Sequence, residues 1–346
     1  MRWTAARTMA ALAAAAALAL GVWNWQGTLL AGHPAAPSTP AEAAATVTSA
    51  GDAGRRAAAA PVPGVRRLTE AGPLPPLGMP LRLALPQIER RAAAGEPKAA
   101  CRLAAELANC ERLRVELAAA EQAIEQIEAG QRPGSAAVES AELRSHRTRW
   151  METMTTRAEG VLRDTAHCDG VRPALPATIA RHWRTAALGG HLPSMTHYAV
   201  GNAFRIRDTL NNLPALAIYR QEAEAIARRA AAAGDANAIA ILAAAYSPLN
   251  DDRRRTYLAQ SVRPDVVESL SLYLRLRAGS SSTIDPRSRL IDAKIAQLGR
   301  IASQEQLAQA KSRAAEHRPA ALGDLSPRTV ATGGLADVPR EQCDGD

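Results

Sequence analysis

The sequence predicts an all-α protein, and more narrowly an α-solenoid of antiparallel helix pairs. Three observations carry that prediction. Alanine, the strongest helix former, supplies 78 of the 346 residues. Aromatic residues make up only 3%, with a single Phe at Phe204, and Val/Ile runs are scarce. That shortage argues against a sandwich, a barrel or a doubly wound parallel sheet. Finally, a short pattern centred on glycine recurs along the chain, and a recurring unit is the signature of a repeat architecture.

The first element is an address. Arg2 and Arg7 precede the apolar run Met9 to Trp23, with Trp25 just beyond. A positive start before an apolar stretch is the secretory pattern, and the positive-inside rule places the rest of the chain across the membrane. Residues 1–32 are expected to be an uncleaved signal anchor, with a cleaved signal peptide as the alternative. Residues 33–80, rich in Ala and Pro without apolar periodicity, read as a disordered linker.

A helical repeat domain is expected over 81–318. Its three glycine-centred segments begin with Gly95, Ala99 and Leu103. The second has Gly190, Ser194 and Tyr198, and the third has Gly234, Ala238 and Leu242. Each carries small residues before the glycine, a small residue four after it and a large apolar one eight after it. Offsets of four and eight share one helical face, and glycine supplies the left-handed residue that ends the preceding helix. Gly190 and Gly234 lie at a spacing typical of helical repeats, whereas Gly95 is much farther back, so something is inserted.

These segments resemble the Sel1-like branch of tetratricopeptide-type repeats, over about a third of the chain and with Tyr198 where that pattern has Leu. The resemblance implies an adaptor module. Ser303 and Gln306 form a candidate capping box opening a closing helix over 306–315, which also resembles bacterial Sel1-like proteins. A non-repetitive Ala-rich bundle is the plainer reading of the same residues.

The insertion, 112–160, reads as a long helical hairpin. Leu103, Leu107, Cys110, Leu113, Leu117, Ile124 and Ile127 form its first stripe, which begins upstream of the insertion. Gln131 to Gly134 mark the turn, and Leu143, Trp150, Met154 and Val161 lie on the return helix. Residues 319–346 are expected to be a disordered acidic tail.

Charge excludes less than it suggests. The formal charge is +8, almost all of it Arg scattered beside Glu, which reads as the codon signature of a GC-rich bacterial genome. The cluster Arg253 to Arg255 follows Asp251 and Asp252 and reads as a solvated turn. No stacking aromatics interleave it, so no nucleic-acid partner is expected.

Four cysteines in an exported domain favour disulfides. Counting back along a hairpin that turns near residue 132 places Cys168 opposite Cys101. If the first helix breaks near Asn109, Cys110–Cys168 is the better pair. Cys343, in the tail, is expected to be unpaired or intermolecular.

His182, His191 and His197 match no metal-ligand spacing, and no phosphate loop, dinucleotide fingerprint or nucleophile elbow is present. No catalytic residue, metal or cofactor is assigned. The functional expectation is a non-catalytic adaptor or scaffold in the bacterial periplasm. It would be anchored to the inner membrane by its N-terminal helix and bind an unidentified protein. The alternative is a small-ligand-binding or enzymatic bundle built from scattered His, Glu and Arg, with those three histidines as its best candidates. A third, purely structural envelope role would act through the hairpin.

Overall fold

The computed structural model describes residues 72–130, 141–249, 256–280 and 284–344, all within the unit Val65–Asp346. Every regular element among them is helical, and no strand occurs among them. The expected signal segment and most of the linker lie outside the described residues, as do the Gln131–Gly134 turn and the Arg253–Arg255 cluster. No helix among the described residues is long and apolar enough to cross a membrane.

The first helices are α1 (Leu81–Ala93), α2 (Pro97–Gly130) and α3 (Ala141–Thr165). After a 3-10 turn come α4 (Pro176–Leu188), α5 (Leu192–Val200), α6 (Leu213–Ala232) and α7 (Ala236–Tyr246). Next are α8 (Tyr257–Ser261), α9 (Val266–Ala278), α10 (Pro286–Gly299), α11 (Gln304–Ala315) and α12 (Pro327–Thr332). A last 3-10 turn spans Arg340–Cys343.

The three glycine segments fold alike. Gly95, Gly190 and Gly234 end α1, α4 and α6 with φ of +85°, +88° and +94°. In each, the glycine N–H donates to the carbonyl three residues back, at 3.0, 3.1 and 3.1 Å. The next N–H, from Glu96, His191 or Asp235, donates to the carbonyl five residues back, on Arg91, Ala186 or Ala230. This pair of bonds is the Schellman closure, which satisfies two orphan carbonyls and reverses the chain within a few residues. The starting helices use local devices too. Pro97 sits in the first turn of α2, and the Asp235 carboxylate accepts from the Asn237 and Ala238 amides to cap α7.

The positions four and eight after each glycine are the packing positions. Ala99, Leu103, Ser194, Tyr198, Ala238 and Leu242 are all buried. Small side chains let neighbouring helices approach closely; a Cβ on Gly189 would sit 2.5 Å from Pro97 Cγ. Helix packing follows chain order: α1 on α2, α2 on α4, α4 on α5, α5 on α6, α6 on α7, α7 on α9 and α9 on α11. The core continues through all of these, with Trp183, Tyr219, Ile239 and Tyr273 among its largest buried side chains. The capping box at Ser303 and Gln306 is present and opens α11 two residues earlier than expected, at Gln304.

The long helices α2 and α3 pack on each other. Leu103, Leu107, Cys110, Leu113 and Val161 are buried, whereas Trp150 stays 37% exposed.

Two expectations about the cysteines are corrected. Cys168 bonds to Cys110, the alternative pairing, and Cys101 bonds to Cys343. Counting along the hairpin considered distance from the turn and neglected which side of the helix each sulfur faces. Nine residues are two and a half turns, so Cys101 and Cys110 face opposite sides of α2. Only Cys110 lies on the side where the chain leaves α3, where Arg114 also donates to the Val171 carbonyl at 2.7 Å.

The acidic tail is also corrected. Residues 319–344 are packed, with Ala320, Leu322, Leu325, Val330, Val338 and Cys343 all buried. At the other end the expected linker becomes ordered before residue 80. The Arg91 guanidinium donates to the carbonyls of Gly72 and Pro73, both at 2.9 Å.

This geometry is open to two tests. Non-reducing peptide mapping of the oxidised chain should return Cys101–Cys343 and Cys110–Cys168 and no other pair. Gly234→Ala should cost about 1–2 kcal/mol in urea unfolding, because a Cβ there meets no atom within 4 Å and only the left-handed backbone is penalised.

Candidate functional site

The second helix of each glycine-centred pair, α2, α5 and α7, contributes to one face, and segment 320–344 lies across it. The crossing runs opposite to chain order. Helix α12 packs on α7, and a Cβ on Gly333 would come within 2.7 Å of Ala244 Cβ. The carbonyl of Leu335 then accepts from Asn202 Nδ2, beyond the end of α5, at 2.9 Å. The final 3-10 turn lies on α2, where the Cys101–Cys343 bond fastens it.

Around that bond the fold buries charge. Arg102 and Glu106, four apart on α2, are 1% and 0% exposed and paired at 2.8 Å. Burying charges is costly unless each has a partner, and each has more than one. Arg102 Nη1 reaches Asp344 at 2.8 Å, while Glu106 Oε2 faces His167 Nε2 at 2.9 Å and Arg340 Nη1 at 3.4 Å. Two of those partners, Asp344 and Arg340, come from the crossing segment. The charge pattern of α2 is thus completed by residues more than two hundred positions away.

Two cavities flank the crossing, and Asp337 and Val338 line both. One, of about 1000 Å³, lies against the turns at Gly190 and Gly234 and holds His191. The other, of about 570 Å³, lies between α2 and α4 and holds Trp183, His197 and Arg205.

The histidines do not converge. His191 caps α5: its Nδ1 accepts from the Ser194 amide, and its ring faces the larger cavity. Burial lowers its pKa, as does Lys98 nearby, while the Gln342 backbone opposes the shift. His197 is 2% exposed, stacks on Trp183 with ring centroids 4.1 Å apart, and lines the smaller cavity. Burial, aided by the positive charge of Arg205, holds its pKa down to about 3. Its Nδ1 is buried with no hydrogen-bond partner. His182 lines neither cavity and is lowered mainly by burial. No group of metal-ligating side chains occurs among the described residues.

The tyrosines near the repeats serve the interior. Tyr198 and Tyr246 donate to Glu222 and Glu224 at 2.8 and 2.6 Å, and Tyr219 donates to the Ala199 carbonyl at 2.7 Å. Glu222 also holds Arg184 through two bonds at 2.7 and 2.8 Å, tying α4 to α6.

Sequence reasoning passed over Arg102 and Glu106, read Gly201-Asn202 only as a helix break, and took the crossing segment for a disordered tail. A signal existed for Arg102 and Glu106: an Arg and a Glu four apart inside the apolar stretch Ala99–Leu107.

No family model, curated protein or solved structure matches the chain.

The buried histidines make stability depend on pH. Their folded pKa values lie below the ordinary 6.5, so the unfolded chain takes up protons that the folded chain refuses. Stability is full above about pH 6.5 and declines as pH falls toward the His197 value of about 3. His197→Phe keeps a ring beside Trp183 and should flatten that decline. The urea midpoint of the wild type should fall more steeply than that of the variant between about pH 7 and 4. Parallel curves would show that His197 does not carry the effect.

Proposed function

We propose that this chain is a non-catalytic helical-repeat protein of the bacterial envelope that mediates protein–protein interaction as an adaptor or scaffold. In this reading its helix pairs stack as a solenoid of the Sel1-like, tetratricopeptide type. The apolar segment 9–23 exports the domain to the periplasm and anchors it at the inner membrane. The observation that carries the reading is the recurrence of one helix–glycine–helix unit three times, with identical turn closure, in a chain whose helices pack in sequence order. Units of that kind bury their apolar faces only against neighbours, and stacking them builds extended surfaces suited to large partners. The two disulfides fit an oxidising compartment.

One observation favours the small-ligand alternative. The cavity of about 570 Å³ is walled by ionisable side chains from several elements: Glu111 and Arg112 on α2, Asp164 on α3, and Arg205 and Asp208 beyond α5. A cavity of that size with a few polar groups around it suits a small polar molecule.

In-cell cross-linking of the tagged full-length chain, with capture from the envelope fraction and mass spectrometry, separates the two. The adaptor reading expects a stoichiometric protein whose cross-links map to the helix pairs between Leu81 and Ala315. A clean monomer that retains a small molecule, and loses it in His197→Phe, supports the alternative.

A further inference from the structure

The crossing segment is held by packing of α12 on α7 and α10, by the last 3-10 turn on α2, and by a short set of polar and covalent ties. Residues 334–339 run without regular structure between α12 and the last 3-10 turn, so their backbone depends on what lies beneath. Of the segment's attachments beyond that stretch, Gly323 and Leu325 accept from Arg287, the Arg102–Asp344 pair closes the far end, and Cys101–Cys343 makes it covalent. The seat is also larger than its occupant. About 1000 Å³ stays open between the segment and the turns at Gly190 and Gly234, and Asp337 and Val338 of the segment line both that space and the second cavity. A terminal segment that touches three successive helix pairs, is fastened at its end and incompletely fills its seat has the geometry of a bound ligand.

We propose that residues 320–344 are an internal occupant of the partner-binding face, released when Cys101–Cys343 is reduced. This rests on the protein-interaction reading of the chain. The partner is specified by what the segment now supplies. It is a stretch of polypeptide, one helical turn followed by an extended run, carrying branched apolar side chains in the places of Leu325, Val330 and Val338 and a carboxylate near its end for Arg102. Glu106 stays paired to Arg102 and His167 when the segment leaves, so the exposed face keeps its charges partnered.

The reductant is a dithiol. Its thiolate attacks one sulfur of the Cys101–Cys343 bond and forms a mixed disulfide, and the other cysteine leaves as a thiolate that takes up a proton. The second thiol of the reductant then displaces the remaining cysteine. Two electrons pass to the protein, Cys101 and Cys343 end as thiols, and the reductant ends as a disulfide. Both sulfurs are fully buried, so the four-residue turn Arg340–Cys343 must lift before the exchange. The second bond, Cys110–Cys168, fastens α2 to the exit of α3 and takes no part in the release.

The test uses the full chain in two forms, oxidised wild type and Cys343→Ser. The probe is a fluorescently labelled synthetic peptide of residues 319–346 carrying the same Cys343→Ser change. The proposal expects Cys343→Ser to keep its helical circular dichroism and to bind the peptide at least tenfold more tightly than oxidised wild type. It also expects tryptic cleavage after Arg328 to quicken at least tenfold in Cys343→Ser, with the chain between Leu81 and Ala315 still protected. A peptide carrying Asp344→Asn should bind at least fivefold more weakly.

Three results overturn it. One is a peptide that binds neither form. Another is a segment in Cys343→Ser as protected as in wild type. The last is loss of helical signal in Cys343→Ser, which would make the segment a permanent part of the core. The assay reads no natural partner. A partner captured from cells without peptide exchange removes this proposal and leaves the interaction reading standing.

Discussion

The structure depends first on a backbone constraint. A helix can end within one residue and reverse only if some residue adopts a left-handed conformation, and glycine does so without the strain an L side chain suffers. Gly95, Gly190 and Gly234 meet that requirement in the same way. Each turn closes with the same pair of hydrogen bonds. The alanines and other small residues beyond the turn can then pack closely. Moving the glycine by one residue would rotate the next helix by about 100° and carry its buried face into solvent.

The second dependence is electrostatic. Arg102 and Glu106 are buried on α2, and charges removed from water need partners. Part of that partnership comes from α2 itself and the exit of α3, and part from Arg340 and Asp344. The division matters for function. In the proposed release the first set stays behind, so the face need not collapse, while the second set marks the chemistry a replacement for the segment would need.

Much of the architecture was legible in the sequence because it is local. Helical content follows from alanine and from the lack of strand formers, and the turn glycines announce themselves by the small residues on both sides. The packing positions four and eight after each glycine follow from helical periodicity alone. The same locality explains what was missed. Reading 319–346 as a disordered acidic tail weighed its own composition, which offers little to bury. Leu325, Val330 and Val338 are too sparse to form a core by themselves, and they are buried only because α2, α5 and α7 provide one. The first disulfide assignment failed for a related reason. Distance along a hairpin is a one-dimensional quantity, and the side of the helix a sulfur faces is not.

By itself, then, the sequence determined the helices, their glycine reversals and the faces they bury, because these are set by neighbours within eight residues. The tertiary structure alone decided that Cys343 meets Cys101, that Asp344 meets Arg102, and that the last segment lies across α7, α5 and α2 in that order. The first two of those contacts join residues 242 positions apart. No periodicity or propensity spans such a separation; only the assembled surface, with its buried charges and open seat, selects what covers it.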